Sequence, residues 1–316
     1  MTASASPTTR PSSTTLDLEP ANLHISVTSH EFSGRRLSER VEQKFFVRPD
    51  RIDLAMGLLF RTCRRDPAYP SGHVNSLYFD TFDLEEHRSS EAGDSDKDKI
   101  RIRWYGAALD PHGRSADRAG AEYKGVRSQS EDDGTVQVWL ERKSRRGFAS
   151  TKQRLAVNVP ASSVAFTSLG LGVVPMTLLI DTMGKFGYFP PRGRFCPVIA
   201  ISYARYRFVE PVTGFRISID RHVRSSVVMH GLSRGERGLQ LPGAVVEVKG
   251  PTFDMPPSLR ELADIGSTWT RFSKYSSSLD AHAADLGSVS RNWPSGVMEK
   301  EPGHISWVPA SSGINN

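Results

Sequence analysis

Residues 99–105 read Lys-Ile-Arg-Ile-Arg-Trp-Tyr, and this alternation of charged and apolar side chains decides the fold. Successive side chains of a β-strand point to opposite faces of the sheet. The stretch therefore predicts a strand with Lys99, Arg101 and Arg103 on one face and its apolar residues, including Trp104, on the other. Polar residues alternate in the same way at five further places: Glu42–Lys44, Glu141–Lys143, Arg205–Arg207, Arg216–Ser218 and Glu247–Lys249.

These polar rows have two structural interpretations. In an open sheet they would simply face water, which is ordinary for antiparallel strands. In a closed barrel they would form a charged lumen that needs an anion, because buried like charges are costly unless they are paired. Arg and Lys bind phosphate groups, and the carboxylates on the same faces, Glu42, Glu141 and Glu247, could hold Mg²⁺ or Mn²⁺. Such a lumen would be a triphosphate site.

Composition sets limits on the function. The 316 residues suffice for one large domain, and 41 Lys and Arg against 35 Asp and Glu give a net charge of +6, which suggests an anionic partner without identifying it. Cys63 and Cys196 are expected to be buried thiols in a reducing compartment. No apolar run approaches the roughly 20 residues of a membrane-spanning helix, and residues 1–20 lack the apolar core of a secretory signal. We therefore expect a cytoplasmic protein.

The pattern along the chain predicts one α+β domain with helices outside the sheet. Its expected boundaries are a disordered tail over 1–30, the domain over 31–285 and a flexible tail over 286–316. Residues 106–134 are polar without an apolar period, so we interpret them as an insertion. Strands are predicted over 40–47, 74–80, 99–105, 135–143, 197–209, 215–221 and 245–249. Helices are predicted over 49–65, within 162–187 and from Pro257 onward.

Eight sequence blocks, in order, resemble the polyphosphate polymerase domain of the vacuolar transporter chaperone (VTC) complex. The blocks are residues 40–47, 76–81, 99–106, 140–143, 203–208, 215–220, 246–250 and 271–275, reading RVEQKFFV, SLYFDT, KIRIRWYG, LERK, YARYRF, FRISID, VEVKG and RFSKY. They cover about Arg40 to Leu279. The family belongs to the CYTH-like triphosphate tunnel metalloenzymes, so the resemblance implies an antiparallel β-tunnel, a closed barrel with a charged lumen and helices packed outside.

The resemblance implies an enzyme that transfers the γ-phosphate of ATP to a growing polyphosphate chain and releases ADP, with Mn²⁺ or Mg²⁺ bound. By matching position, the implied catalytic residues are Lys274, Arg271 and Arg205. The implied substrate-binding residues are Lys44, Arg101, Arg103, Lys143, Lys152, Tyr203, Arg216, Lys249 and Ser273. The implied metal ligand is Glu247, which is expected to be an unpaired carboxylate between Val246 and Val248.

The chain departs from the wider family in its first block and in the long insertion. Related hydrolases carry Glu-x-Glu-x-Lys there, whereas Arg40 stands in place of the first Glu, which favours polymerase chemistry. A tripolyphosphate or nucleoside triphosphate hydrolase of the same fold remains an alternative, as does a non-catalytic polyphosphate-binding module, against which Glu247 argues. A nucleic-acid binder is disfavoured because Trp104 falls on the apolar face. The expected partners are ATP and inorganic polyphosphate, without nucleic acid. No transmembrane segment is expected, and association with membrane partners stays open.

Overall fold

The computed structural model describes residues 41–106, 135–147, 149–164, 173–190, 195–229, 232, 238–268 and 272–285, and the short segments 14–15, 26–28 and 35–36. These residues form one antiparallel sheet with helices on both of its faces. The strands are β1 (Thr14–Thr15), β2 (Ser26–Thr28), β3 (Arg35–Arg36), β4 (Val41–Val47), β5 (Arg64–Arg65), β6 (Ser71–Thr81), β7 (Lys97–Tyr105), β8 (Thr135–Arg146), β9 (Ala149–Pro160), β10 (Phe195–Val209), β11 (Arg216–Val227), β12 (Leu239–Gln240), β13 (Ala244–Gly250) and β14 (Ser267–Thr268). The α-helices are α1 (Ile52–Thr62), α2 (Glu85–Ala92), α3 (Met176–Lys185), α4 (Leu262–Ile265) and α5 (Lys274–Asp285).

The main ladder of the sheet runs β1-β2-β9-β8-β7-β6-β10-β11-β13-β4-β14, and its pairings are antiparallel. The predicted α+β class and antiparallel sheet are confirmed. Within the described ranges no backbone pairing joins the two ends of the ladder, so closure into a barrel is not confirmed. The sheet nevertheless curls strongly. Five strands separate β4 from β8, yet Glu42 on β4 lies close enough to Lys143 on β8 for its charge to oppose the lowering of the pKa of that lysine.

The outer face of the sheet carries the apolar rows that the alternation predicts. Ile100, Ile102 and Trp104 of β7 are buried together with Leu140 of β8 and Leu179 of α3. At the other end of the ladder, α1 and α4 cover the outer face of three strands. That cluster is Phe45, Val47, Ile217, Ile219, Val246, Val248, Ala55, Leu58, Leu59, Leu262 and Ile265. Burying a Leu or Ile side chain contributes about 1.5–3 kcal/mol, so these clusters fix which face of each strand turns inward.

The inner face is the one that carries Lys44, Arg101 and Glu247, and α5 packs against it. The residues of α5 from Lys274 to Ala281 are buried on all sides. Tyr275 stacks on Tyr78 of β6 with 5.1 Å between ring centroids, and its hydroxyl donates a 2.7 Å hydrogen bond to Asp80. The prediction that helices pack outside the sheet is therefore correct for α1, α3 and α4 but wrong for α5, which fills part of the concave side.

The ends of the chain differ in part from the sequence prediction. Within the predicted disordered tail, β1 and β2 extend the sheet beside β9, so the prediction of disorder is wrong for these five residues. Sequence reasoning missed them because edge strands pair through the backbone and need no apolar pattern. The rest of that tail, residues 107–134 of the insertion and residues 286–316 lie outside the described residues.

Cys63 and Cys196 are free thiols, and both are only partly buried, whereas the sequence predicts buried thiols. None of the described helices is long and apolar enough to cross a bilayer.

Candidate active site

The inner face concentrates charge at the centre of β13. Glu247 pairs across the ladder with Ser218 of β11 on one side and with Lys44 of β4 on the other. Its neighbours Val246 and Val248 are buried on the outer face, so strand alternation turns the Glu247 carboxylate inward. The same alternation turns Asp220 of β11 inward, because Ile219 is held in the outer core. Two carboxylates therefore meet on one patch of the inner face.

Asp220 is the more tightly paired of the two carboxylates. Arg205 of β10 donates to both of its oxygens, at 2.5 and 2.7 Å, and Lys274 Nζ lies 2.5 Å from Oδ2. Burial of Asp220 raises its pKa, but Arg205 and Lys274 outweigh that effect and hold the pKa below its usual value. The same pairing raises the pKa of Lys274 against its own burial. Asp220 and these two cations are therefore all charged at neutral pH.

Glu247 contacts three cations at longer distances. Lys274 lies 3.4 Å from Oε1, while Lys249 and Arg205 lie 3.3 and 3.5 Å from Oε2. These charges hold its pKa well below the usual value although burial acts in the opposite direction. The carboxylate is thus anionic but not unpaired, which corrects the expectation from sequence. Its looser contacts make Glu247 a better metal ligand than Asp220, whose oxygens are committed to short ion pairs.

A third carboxylate, Glu141 of β8, contacts cations of its own neighbourhood in the sheet. Arg101 contacts its Oε2 through Nε at 2.8 Å and Nη2 at 2.7 Å, Arg103 lies 3.8 Å from Oε2, and Lys152 of β9 lies 2.5 Å from Oε1. The pKa of Glu141 is lowered because Arg101, Arg103 and Lys152 outweigh its burial. Arg101 also donates to the Tyr78 hydroxyl at 3.1 Å. This group presents three cations around one buried carboxylate.

Three lysines approach one another where the sheet curls: Lys99 and Lys143 are partners on the adjacent strands β7 and β8, and Lys44 comes from the distant strand β4. Lys44 Nζ lies 3.5 Å from Glu42 and donates to the Phe272 carbonyl at 3.1 Å, while Lys99 donates to Ser273 Oγ at 2.7 Å. Burial and the charges of Lys44 and Lys143 lower the pKa of Lys99 to about 7. Burial, Lys44 and other cations also lower the pKa of Lys143, which Glu42 opposes. This corner holds more positive than negative charge, so it is suited to a polyanion.

The first residues of α5 connect these groups. Ser273 precedes the helix and accepts the Ser276 backbone N–H at 3.3 Å, as an N-capping residue does. Lys274 follows with its Nζ 5.0 Å from the centre of the Tyr203 ring, and the Arg205 guanidinium lies 5.3 Å from the same ring. The stack of Tyr275 on Tyr78 fixes the direction in which the helix enters. The start of α5 therefore brings the Ser273 hydroxyl and the Lys274 ammonium group to the inner face, between the pair Asp220 and Glu247 on one side and Glu141 on the other.

The structure brings together eleven of the residues singled out from the sequence. They are Lys44, Arg101, Arg103, Lys143, Lys152, Tyr203, Arg205, Glu247, Lys249 and the pair Ser273 and Lys274 at the start of α5. Arg216 stands apart: it is the first residue of β11, its side chain is largely exposed, and it pairs with Asp66 at 3.2 Å. Arg271 lies outside the described residues.

Sequence reasoning missed Asp220 and Lys99 as members of the site. Strand alternation could have identified both residues, since Asp220 shares the strand face of Ser218, and Lys99 shares that of Arg101 and Arg103. Tyr78 was also missed, and strand parity alone could not have shown that Arg101 donates to its hydroxyl. Asp220 completes the charge balance of Lys274 and Arg205.

Comparison with known proteins identifies the family. Three solved structures resemble the chain weakly: a putative adenylyl cyclase from Hippeastrum described as having a dominant triphosphatase activity (14% identity, 80% of this chain and 98% of that chain, TM-score 0.36), and putative adenylate cyclases from Bacillus halodurans (14%, 68% and 83%, 0.33) and Vibrio parahaemolyticus (12%, 80% and 91%, 0.27). These scores are too low to support an argument. No curated protein matches the chain. The model of the VTC domain matches residues 39–282, the range that holds the whole of the charged inner face, and the chain therefore belongs to the VTC domain family.

Proposed function

We propose that the chain is an ATP-dependent polyphosphate polymerase, which transfers the γ-phosphate of ATP to a growing polyphosphate chain and releases ADP. The observation that carries the proposal is the corner formed by Lys44, Lys99 and Lys143, where burial and the like charges of β4, β7 and β8 lower the pKa of Lys99 and Lys143. Such a group is unfavourable alone and becomes favourable around a ligand with many negative charges. Membership of the VTC domain family supports the same substrate class.

The proposed chemistry needs positioning and charge more than covalent participation by the protein. In each cycle the bond between the γ-phosphorus and the bridging oxygen of ADP breaks, and a new bond forms to a terminal oxygen of the polyphosphate chain. Lys274 and Arg205 are the cations placed to neutralise charge on the transferring group, since both are buried, charged and fixed by Asp220. Arg101, Arg103 and Lys152 would hold further phosphates of the substrate.

The proposal includes a divalent cation, Mn²⁺ or Mg²⁺. A single anionic carboxylate with phosphate oxygens is a usual set of protein and substrate ligands for Mg²⁺, and Glu247 meets that requirement because it is ionised and loosely paired. Held by Glu247, the ion would supply positive charge that neutralises charge developing on the phosphates. Lys249 and Lys274 would remain close enough to balance the remaining charge of the phosphates.

The aromatic residues of the inner face support a phosphate chain as substrate in preference to a nucleic acid. The ring of Tyr78 is stacked on Tyr275, the ring of Tyr203 carries Lys274 and Arg205, and the Arg154 guanidinium lies 4.3 Å from the Trp139 ring. Stacking of nucleic-acid bases requires exposed ring faces. The rings of Tyr78 and Tyr203 are buried, and Arg154 lies over the Trp139 ring.

One assay tests the proposed function directly. Purified protein is incubated with ATP and Mn²⁺, and the products are resolved on a polyacrylamide gel that separates phosphate chains by length. We expect ADP and long chains from the wild type and neither from Lys274→Met. Lys185→Met, which removes an exposed lysine at the end of α3, is the matched control and should behave like the wild type. Release of orthophosphate without chains longer than triphosphate would replace polymerisation with hydrolysis.

A further inference from the structure

A separate cluster of metal-ligating side chains lies between α2 and α5. His87 and Glu91 are one turn apart on α2, so both side chains point to the same side of the helix. His87 Nε2 lies 3.5 Å from Glu91 Oε2 and 3.4 Å from Oδ1 of Asp280 on α5. The three ligand atoms all lie within 4.8 Å of one another. Among the described residues, this is the group of three or more His, Cys, Asp or Glu side chains whose ligand atoms all lie within that distance of one another.

The two separations from His87 Nε2 fit a tetrahedral metal ion. Zn²⁺ binds imidazole nitrogen and carboxylate oxygen at about 2.0–2.2 Å, which places adjacent ligands of a tetrahedron about 3.3–3.6 Å apart. Both distances from His87 Nε2 fall in this range, and both are long for a hydrogen bond to a carboxylate. A neutral imidazole has the lone pair that a metal ligand requires.

Buried polar atoms without partners surround the same place. In the described part of the chain, His87 Nδ1, Ser90 Oγ and Ser276 Oγ are buried and lack a hydrogen-bond partner. Ser276 is 4% exposed and lies one turn before Asp280 on α5, while Ser90 is three residues after His87 on α2. Buried polar groups are nearly always satisfied by protein, water or a ligand. Ser276 lies on the same side of α5 as Asp280, so its hydroxyl is the group placed to face an ion or its coordinated water.

We propose that His87, Glu91 and Asp280 form a binding site for Zn²⁺ that ties α2 to α5. This site is distinct from Glu247: Asp280 lies six residues beyond Lys274, which is about 9 Å along the helix. Imidazole with two carboxylates leaves a fourth position for water, so the ion would be held by three protein ligands. Because α5 also carries Lys274, an ion here would fix the helix that completes the charged inner face. The inference does not depend on which reaction that face performs.

Metal binding to the full chain tests this site. The protein is stripped with a chelator and titrated with Zn²⁺ by calorimetry, and with Co²⁺ while the visible absorption of a tetrahedral Co²⁺ centre is recorded. We expect one Zn²⁺ per chain and a rise in Tm with Zn²⁺ concentration, since an ion that binds only the folded state stabilises it. His87→Ala and Asp280→Asn should weaken Zn²⁺ binding at least about 10-fold and abolish the Co²⁺ spectrum.

Two further variants keep the test decisive. Glu91→Gln replaces an exposed ligand, so it should weaken binding without unfolding the chain, and circular dichroism of each metal-free variant checks its fold. Glu85→Gln, on an exposed position of the same helix, and Glu247→Gln, on the inner face, should both bind Zn²⁺ like the wild type. The proposal is overturned if the wild type binds no Zn²⁺, if Glu91→Gln binds it equally well, or if Glu247→Gln abolishes the binding.

Discussion

Lys274 Nζ lies 2.5 Å from Asp220 Oδ2, and this ion pair joins the first turn of α5 to the middle of β11. Asp220 is completely buried and Lys274 nearly so, and Arg205 occupies the remaining face of the carboxylate. The ion pair joins two residues that are far apart in sequence, and it has two roles. It anchors α5 on the concave side of the sheet, and it holds the Lys274 ammonium group beside Glu247.

We expect Asp220→Asn to destabilise the protein strongly. The variant leaves Arg205 and Lys274 buried with Glu247 as their remaining counter-charge, and breaking a buried ion pair costs about 3–5 kcal/mol. Urea unfolding should show that loss, and tripolyphosphate should restore part of the stability by supplying negative charge. Asp264→Asn, at an exposed position of α4, is the control and should change the free energy of unfolding little. Equal unfolding curves for the two variants would show that the pair is not structural.

Glu247→Gln should impair metal-dependent turnover while tripolyphosphate binding without metal is kept. The amide preserves the shape of the side chain but removes the charge that would hold Mn²⁺, so the Mn²⁺ concentration for half-maximal activity should rise. Lys249 and Lys274 lose a counter-charge, so the free energy of unfolding should fall modestly. The measurements are a Mn²⁺ titration of activity and urea unfolding, with Glu261→Gln on the exterior as control. An unchanged Mn²⁺ titration would make Glu247 a structural carboxylate only.

The faces of the strands could be predicted from sequence because alternation is a local property. The stretch 99–105 places its apolar residues in the outer core and its cations inward, and the structure confirms both. The strand β9 was missed although Leu155, Val157 and Val159 alternate in the same way, since its other face is polar and its preceding turn is short. The curl of the sheet depends on contacts between strands that are distant in sequence, so alternation could not decide between an open and a closed ladder.

The helix α5 could not be predicted from an apolar stripe. Residues 274–281 read Lys-Tyr-Ser-Ser-Ser-Leu-Asp-Ala, with three serines that favour caps and turns over helix interiors. The helix is stable because it is buried on all sides, with Tyr275 and Leu279 in a core that includes Tyr203 and Val245. That core forms only after the sheet has curled. The resemblance to a family located Ser273 and Lys274, whereas the residues alone did not show that a helix delivers them to the inner face.

Arg101→Met should weaken triphosphate binding and also destabilise the fold. Arg101 makes two short contacts to Glu141, which is 2% exposed, so its loss leaves Arg103 and Lys152 to balance that charge. Losing hydrogen bonds to a buried charged group costs about 1.5–3 kcal/mol. Arg101→Lys separates the two effects, because it keeps a positive charge beside Glu141 but loses the two-nitrogen contact: it should recover stability in urea more than affinity in calorimetry. Recovery of affinity together with stability would mean that Arg101 acts on the fold alone.

Binding of tripolyphosphate should be linked to proton uptake through Lys99. Its pKa is about 7 in the folded protein and near 10.5 when the side chain is unperturbed. Below pH 7 Lys99 is charged in both the folded and the unfolded state. Its repulsion with Lys44 and Lys143 then lowers the free energy of unfolding by its full amount. Between pH 7 and 10.5 the unfolded chain binds more protons, so this group makes the free energy of unfolding rise with pH across that window.

A bound polyanion reverses the repulsion and raises the pKa of Lys99, so the protein should take up a proton on binding at pH 8, and affinity should fall as the pH rises above 7. Calorimetry at pH 8 in two buffers with different ionisation enthalpies measures the number of protons taken up. Lys99→Met should reduce that number without eliminating it, because Lys152, with a pKa of about 8, also gains a proton. Lys185→Met should keep the wild-type value. Equal uptake by Lys99→Met and the wild type would show that the corner formed by Lys44, Lys99 and Lys143 does not contact the polyanion.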